Sequence, residues 1–441
     1  MIYGAFHKLV SAITYHRLRL LASPLILLTL LTPCASAQTF SSFYQFRGAP
    51  DGANPNDALI IDGAGNLYGT TTSGGDYSCD PTNGSGGCGT IFRIDQNGNG
   101  TILHAFTDNP DGKEPYSGLL PGRNGTAYGT TYFGGSRYDG TVFKVDQTGH
   151  ATILHNFRSS PDGQNPYLAT VVADAAGNLY GTTTNGGTIP FFCGCGVVFK
   201  IAPSGQETIL HQFLGGPSDG SFPDAGLVLD SAGNLYGTTF FGGAACPNVG
   251  SSGGCGTIFK ISPTGQMTIL YNFTGGADGA NPAGKLLLDS AGNLYGTAAY
   301  GAALCDPLKF GCGTIFRFDT SGKLTVLHRF HGAPDGANPF GGLITDPAGN
   351  AYGVTNFGGI KSCGDNDLDP GGCGTVYKLA GTGKFTILHA FDQTDGSTPN
   401  ASLVRDASGN LYGTTQNGGN PVCTYGTPPI VGCGTVFKIS P

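Results

Sequence analysis

The decapeptide DSAGNLYGTT at 230–239 returns with one change as DSAGNLYGTA at 289–298, and its Tyr-Gly core occurs seven times, at Tyr68, Tyr128, Tyr180, Tyr236, Tyr295, Tyr352 and Tyr412. Successive copies lie 60, 52, 56, 59, 57 and 60 residues apart. That period exceeds the ~20–45 residues of a stacked solenoid unit and approaches the four-strand blade of a propeller. The fourth copy shows four strand-like runs, AGLVLD (225–230), NLYGTTF (234–240), GTIFKIS (256–262) and QMTILYNF (266–273), all rich in β-branched and aromatic residues. Short Gly-containing joints separate the first run from the second and the third from the fourth, as antiparallel hairpins require. Each unit is therefore expected to be a meander of strands a, b, c and d, with a innermost.

The two ends of the chain test this reading. TFSSFYQF at 39–46 aligns with the d runs yet precedes any a run, and the chain stops after a c run, GTVFKIS. Seven complete blades result only if 39–46 completes the last one, which closes the ring and removes exposed sheet edges. The sequence thus predicts an all-β fold, a seven-bladed β-propeller of four-stranded antiparallel blades. With 76 Gly, 27 Pro, 27 Phe and 19 Tyr, the chain has both the turns and the apolar bulk for it. A formal charge of −7 with no basic stripe argues against nucleic acid as a partner.

Before the first strand, Lys8, Arg17 and Arg19 precede the apolar stretch LLASPLILLTLL (20–31), and Ala35 and Ala37 form a small-x-small pattern. This reads as a signal peptide over 1–37, cleaved after Ala37. The apolar stretch falls short of the ~20 residues of a membrane span, so 38–441 is expected to be one secreted propeller domain without a transmembrane segment. Cys34 follows Pro33, a poor context for lipid attachment, and is expected to leave with the leader.

The D-x-x-G-N-L-Y-G-T-T and G-C-G-T-[IV]-F-K signatures, repeated at this spacing across the mature chain, resemble those of the bacterial extracellular tandem-repeat family called GloVer. The a–b turn alone is similar to D-x-x-G-N-x-Y segments of NHL and gluconolactonase-like propellers. The first resemblance implies an extracellular propeller with a C-terminal sorting segment. This chain departs from it by ending on a strand, which favours free secretion.

Twelve further cysteines fall in pairs within the b–c connections: Cys79 with Cys88, Cys193 with Cys195, Cys246 with Cys255, Cys305 with Cys312, Cys363 with Cys373, and Cys423 with Cys433. The second unit lacks both members, as expected if each pair is one disulfide, and disulfides fit an exported chain. Zinc is the weaker reading, because each loop offers two thiols and no recurrent histidine. Cys193-Gly-Cys195 would be a strained bond, read as structural in preference to redox-active.

In such a meander the d–a and b–c loops share one face. The d–a loop carries D-G-x-x-P at Asp51, Asp111, Asp162, Asp219, Asp278, Asp335 and Asp395, so seven carboxylates are candidates to ring the channel mouth and bind a cation or polar ligand. The competing and stronger reading is that Asp-Gly forms turns. Repeated His104, His155, His211, His328 and His389 on strand d read as packing between blades. The basic residue on every strand c, such as Lys260, reads as a stem covering apolar surface or pairing with a turn Asp. In CGDNDLDPGGC, Asp365, Asp367 and Asp369 have the alternate spacing of a calcium loop. Pro370 replaces the expected Gly and no Glu closes the loop, so calcium is the one cofactor considered and an acidic loop the simpler reading. Aromatics on the long loops, among them Tyr77, Tyr132, Phe133, Tyr138, Phe191, Phe192, Phe241 and Phe310, are candidates to stack on sugar rings or a partner surface.

Glu114 and Glu207 are the only glutamates, and Glu207 is placed in a c–d turn on the opposite face, which excludes a two-Glu glycosidase but not an Asp pair. GSSGG at 250–254 matches a nucleophile-elbow pattern, but no strand-to-helix turn surrounds it. The expected function is a monomeric binding module for an extracellular glycan or protein. A metal-assisted lactonase or polysaccharide-cleaving enzyme using mouth Asp residues, and a purely structural surface protein, are the alternatives. Near-equivalent groups around the mouth would favour binding or structure, and one asymmetric polar cluster with a metal would favour chemistry.

Overall fold

The computed structural model describes residues 38–441 except 78, 80–85, 189–193, 247–252, 303–309, 361–362, 364–370 and 426–429. Seven four-stranded antiparallel sheets succeed one another along the chain. We number them blades 1 to 7 by their Tyr-Gly copies. In blade 4, strand a is Val228–Leu229, b Leu235–Thr239, c Thr257–Ile261 and d Met267–Asn272. Blade 7 is assembled from both chain ends. Thr39–Gln45 pairs antiparallel with strand c, Thr435–Ser440, from Thr39↔Ser440 to Gln45↔Thr435, which is the closure expected of 39–46. No helix among the described residues is long and apolar enough to cross a membrane.

Strand a is paired over two residues only, against the six-residue run read from sequence. Residues upstream of it leave the sheet and form the wall of the central channel, where no neighbouring strand offers hydrogen bonds.

The repeated decapeptide follows from the blade's geometry. Asp230 Oδ1 accepts the backbone N–H groups of Ala232 and Asn234, and its Oδ2 accepts Asn234 Nδ2 and the Tyr236 hydroxyl, so one carboxylate holds the whole a–b turn. Asp62, Asp289 and Asp346 make the same four bonds. Blade 2 has Gly122 at this position and turns through a short 3₁₀ segment, Arg123–Gly125. Gly237 is required because a Cβ there would lie 2.6 Å from Phe259 Cζ. The strand c cations find partners on strand b and in the a–b turn rather than turn carboxylates: Lys260 Nζ sits 5.6 Å from the Tyr236 ring centre, and Arg93 Nη2 donates to Asn66 Oδ1.

The core is a ring of aromatic pairs, each joining the end of one blade's strand d to the next blade's strand c. Phe46–Phe92, Phe106–Phe143, Phe157–Phe199, Phe213–Phe259, Phe273–Phe316, Phe330–Tyr377 and Phe391–Phe437 have centroids 5.0 to 5.4 Å apart. Every member is buried, and six of the seven pairs meet edge to face.

The long loops are ordered by two devices. The residue after Asp-Gly in each d–a loop pairs with the start of the b–c loop, as in Ala53↔Ser73 and Ser221↔Phe241. Disulfides Cys79–Cys88, Cys246–Cys255, Cys363–Cys373 and Cys423–Cys433 then close the b–c loops. Cys195 and Cys312 are also disulfide-bonded, while Cys193 and Cys305 lie outside the described residues.

Candidate functional site

Each D-G-x-x-P carboxylate faces strand d, away from the channel. Tyr44 and Tyr271 hydroxyls donate to Asp51 and Asp278 at 3.0 Å. Nε2 of His104, His155, His211, His328 and His389 lies 2.8, 3.0, 3.3, 3.2 and 2.7 Å from Asp111, Asp162, Asp219, Asp335 and Asp395. The carboxylates also accept backbone N–H groups of their own loops, as Asp278 does from Thr274. This is the turn-forming role of Asp-Gly, with strand d added as a second anchor. The repeated His residues thereby hold a loop as well as packing between blades.

The mouth is formed by residues one step past the loop proline: Asn56, Tyr116, Tyr167, Asp224, Ala283, Phe340 and Asn400. The proline turns the chain inward, so the next side chain projects toward the axis. Of the adjacent blades, only 2 and 3, both Tyr, and 7 and 1, both Asn, share the same residue here. A cavity of about 330 Å³ opens at this level, walled by Tyr167, Phe240, Tyr300 and Phe340 together with Asp224, Asn356 and Asn400. Below it lies a cavity of about 640 Å³ between the strands a of blades 1 to 6 and Ser402 of blade 7.

Two aromatic arcs flank the mouth. Tyr116, Tyr132 and Tyr167 meet at 5.0 to 5.7 Å, and Phe133 stands edge-on to Tyr132 at 4.4 Å. On the other side Phe240 contacts Phe241 and Tyr300, and Tyr300 contacts Phe340. Of the aromatics singled out from sequence, Tyr132, Phe133 and Phe241 thus belong to the mouth, whereas Tyr138 and Tyr77 are exposed. Phe191 and Phe192 lie outside the described residues, as do Asp365, Asp367 and Asp369.

Polar groups complete the rim. Asn400 Nδ2 donates to Asn56 Oδ1 (2.9 Å) and Gln416 Oε1 (3.0 Å), and Thr184 donates to Asp224 Oδ1 (2.9 Å). Asn356 Oδ1 is buried without a hydrogen-bond partner. Burial pushes the Asp224 carboxyl up to about 7, with the Thr184 bond opposing. Deeper in the channel, Asp57 accepts the N–H of Gly118 (2.6 Å) and the Thr170 hydroxyl (2.8 Å), joining three blades at the axis. Burial raises the Asp57 carboxyl and lowers the Lys285 ammonium that attracts it.

Sequence reasoning missed Asp57, Asp224, Lys285, Asn356 and Asn400. Their signal is departure from the repeat, because their alignment columns hold no common residue across the blades, Asn400 being matched by Asn56 alone. Glu207 is also relocated. It begins strand d of blade 3, Glu207–Gln212, and lies 3.6 Å from His155, because blade twist leans the start of each strand d over the end of the preceding one.

The profile described as the Gloeobacter/Verrucomicrobia repeat matches residues 76–303 and 246–441. No curated protein sequence matches the chain at a significant level. Virginiamycin B lyase from Staphylococcus aureus is similar in fold at 14% identity and TM-score 0.53, covering 92% of this chain and 99% of that one. An extracellular domain of a hybrid two-component system from B. thetaiotaomicron has 12% identity and TM-score 0.51, covering 91% of this chain and 41% of that one. A gluconolactonase from Xanthomonas campestris has 14% identity and TM-score 0.37, covering 71% and 82%.

Proposed function

The chain belongs to the Gloeobacter/Verrucomicrobia repeat family, and from that premise we propose that it is an exported propeller whose channel mouth binds a glycan. Residues 1–37 act as the cleaved leader, and the disulfides belong to the oxidising compartment beyond it. The extracellular setting of the two-component domain similar in fold agrees with that destination. The observation that carries the reading is the mouth cavity, where aromatic faces stand beside amides and one carboxyl. A sugar ring presents an apolar face that stacks on Tyr167 or Phe340 and hydroxyls that bond to Asn356, Asn400 and Asp224. The unpartnered Asn356 Oδ1 supplies an acceptor for such a hydroxyl.

A glycan array followed by calorimetry on the hits tests this. Saturable binding is expected, weakened roughly tenfold in Tyr167→Ala, the value of one lost stacking contact. A folded protein silent across the array, or one whose binding ignores both Tyr167→Ala and Phe340→Ala, overturns the reading and leaves the structural role.

Asp224 favours a second reading. A carboxyl titrating near neutrality against a ligand cavity is suited to general acid–base work on a bound ester or glycosidic bond. Under this reading the glycan hit is cleaved on incubation and Asp224→Asn still binds it but releases no product. An intact glycan with the wild-type protein returns the mouth to binding alone.

A further inference from the structure

At the outer junction between consecutive blades, the first residue of strand d covers the His or Tyr of the preceding strand d. Equivalent positions, defined by pairing with the residue that follows the strand c cation, are Phe40 (the second residue of its strand), Gly100, Ala151, Glu207, Met267, Leu324 and Phe385. Phe385 stacks on His328 at 3.8 Å and Phe40 on His389 at 3.6 Å, so the position ordinarily supplies an apolar cover. Blade 3 alone places a carboxyl there.

The result is a three-residue group found at one junction of the ring. His155 Nε2 lies 3.0 Å from Asp162 Oδ2 and 3.6 Å from Glu207 Oε2, and all three donor atoms fall within 4.8 Å of one another. For metal–ligand bonds of ~2.0–2.2 Å, neighbouring ligands of a tetrahedral ion stand about 3.3–3.6 Å apart, which these separations approach. Glu207 Oε1, the second oxygen of the same carboxyl, is buried and has no hydrogen-bond partner, an uncommon condition that a cation held by both oxygens would relieve. We propose that His155, Asp162 and Glu207 form a binding site for one divalent transition-metal cation of the zinc class, stapling blade 2 to blade 3.

The donor set selects the class. One imidazole and two carboxylates suit zinc, whereas calcium takes six to eight oxygens, more than this junction offers. Three protein ligands leave a fourth position for water or an outside group. Burial and the facing Asp162 push Glu207 up to about 9, with Arg158 opposing. Burial also works against the Asp162 charge, but hydrogen bonds from His155 and Glu207 outweigh it and hold that carboxyl below its ordinary range.

Zinc titration of the chelator-stripped protein by calorimetry is the test, with calcium in parallel and with Glu207→Met, the residue native to this position in blade 4, and Glu207→Gln as variants. One zinc per chain is expected beyond any weak background of the remaining His–Asp pairs. Both variants should weaken that site by at least ~100-fold while melting in chelator no lower than wild type. No zinc site in the wild-type protein, an unaltered one in the folded variants, or a preference for calcium would each overturn the proposal.

Discussion

The carboxyl of the mouth cavity, Asp224, illustrates how one residue departs from the sevenfold pattern and what that costs. Its partner is one hydroxyl, from Thr184, and burial raises it from 3.8 to about 7. Between those values the folded chain binds a proton that the unfolded chain has released, so this group's stabilisation is present below about pH 4 and is lost as pH rises through 7. Asp224→Asn removes the titration and keeps an acceptor for Thr184. The variant is expected to match the wild type below about pH 4 and to exceed it by on the order of 3 kcal/mol above about pH 8. Melting curves of both proteins across that range check this, because every other titrating group is common to the two and cancels in the difference. A constant offset between them would show that Asp224 ionises normally. Legibility at this scale was poor for a physical reason: a repeated residue announces itself, but a mouth residue is defined by facing the axis, and only the fold says which column does so.

At the level of the strand, the repeat is legible almost to the atom. D-x-x-G-N-L-Y-G encodes a turn held by one carboxylate, and its last Gly is fixed by the ring of the strand c aromatic above it. The extent of strand a was not legible, since the run AGLVLD has β propensity throughout but only its end has a neighbour to pair with. The destination of the D-G-x-x-P carboxylates was also hidden, because the twist that brings strand d beside the loop is a property of the sheet. Strand c carries one internal exception. Six blades place Phe at its centre and blade 6 places Tyr377, whose hydroxyl is buried with no hydrogen-bond partner. Burial raises its ionisation far above the ordinary phenol range, so the group stays a neutral, desolvated donor. Tyr377→Phe, which reproduces the other six blades, is expected to stabilise the protein by ~1 kcal/mol, read as a higher urea midpoint at unchanged slope. A lower midpoint would mean that the hydroxyl has a partner in solution.

For the whole molecule, the decisive link is that blade 7 borrows its outer strand from the other end of the chain. Every other blade is covalently continuous, so opening the ring elsewhere means parting two complete sheets. At blade 7 it also means unzipping one strand. Thr39–Gln45 contributes Phe40, stacked on His389 of blade 6, and Tyr44, bonded to Asp51 at the entrance of blade 1, so this segment grips both neighbours as well as strand c of its own blade. Deleting 38–45 leaves Phe46 in place but strips the backbone partners from Thr435–Ser440 and creates one full-length exposed edge. The two aromatic covers account for ~2 kcal/mol each, so the deletion should lower the melting temperature by several degrees. Its more specific signature is association. An edge of six unpaired residues recruits a strand from a second chain, and light scattering should show concentration-dependent association beyond that of the intact protein. Supplying the excised segment as a peptide should return the truncated ring to the behaviour of the intact protein, because the groove it leaves is specific for that strand. Truncated protein that remains monomeric with an unchanged melting point would mean that the aromatic ring alone holds the seven blades together.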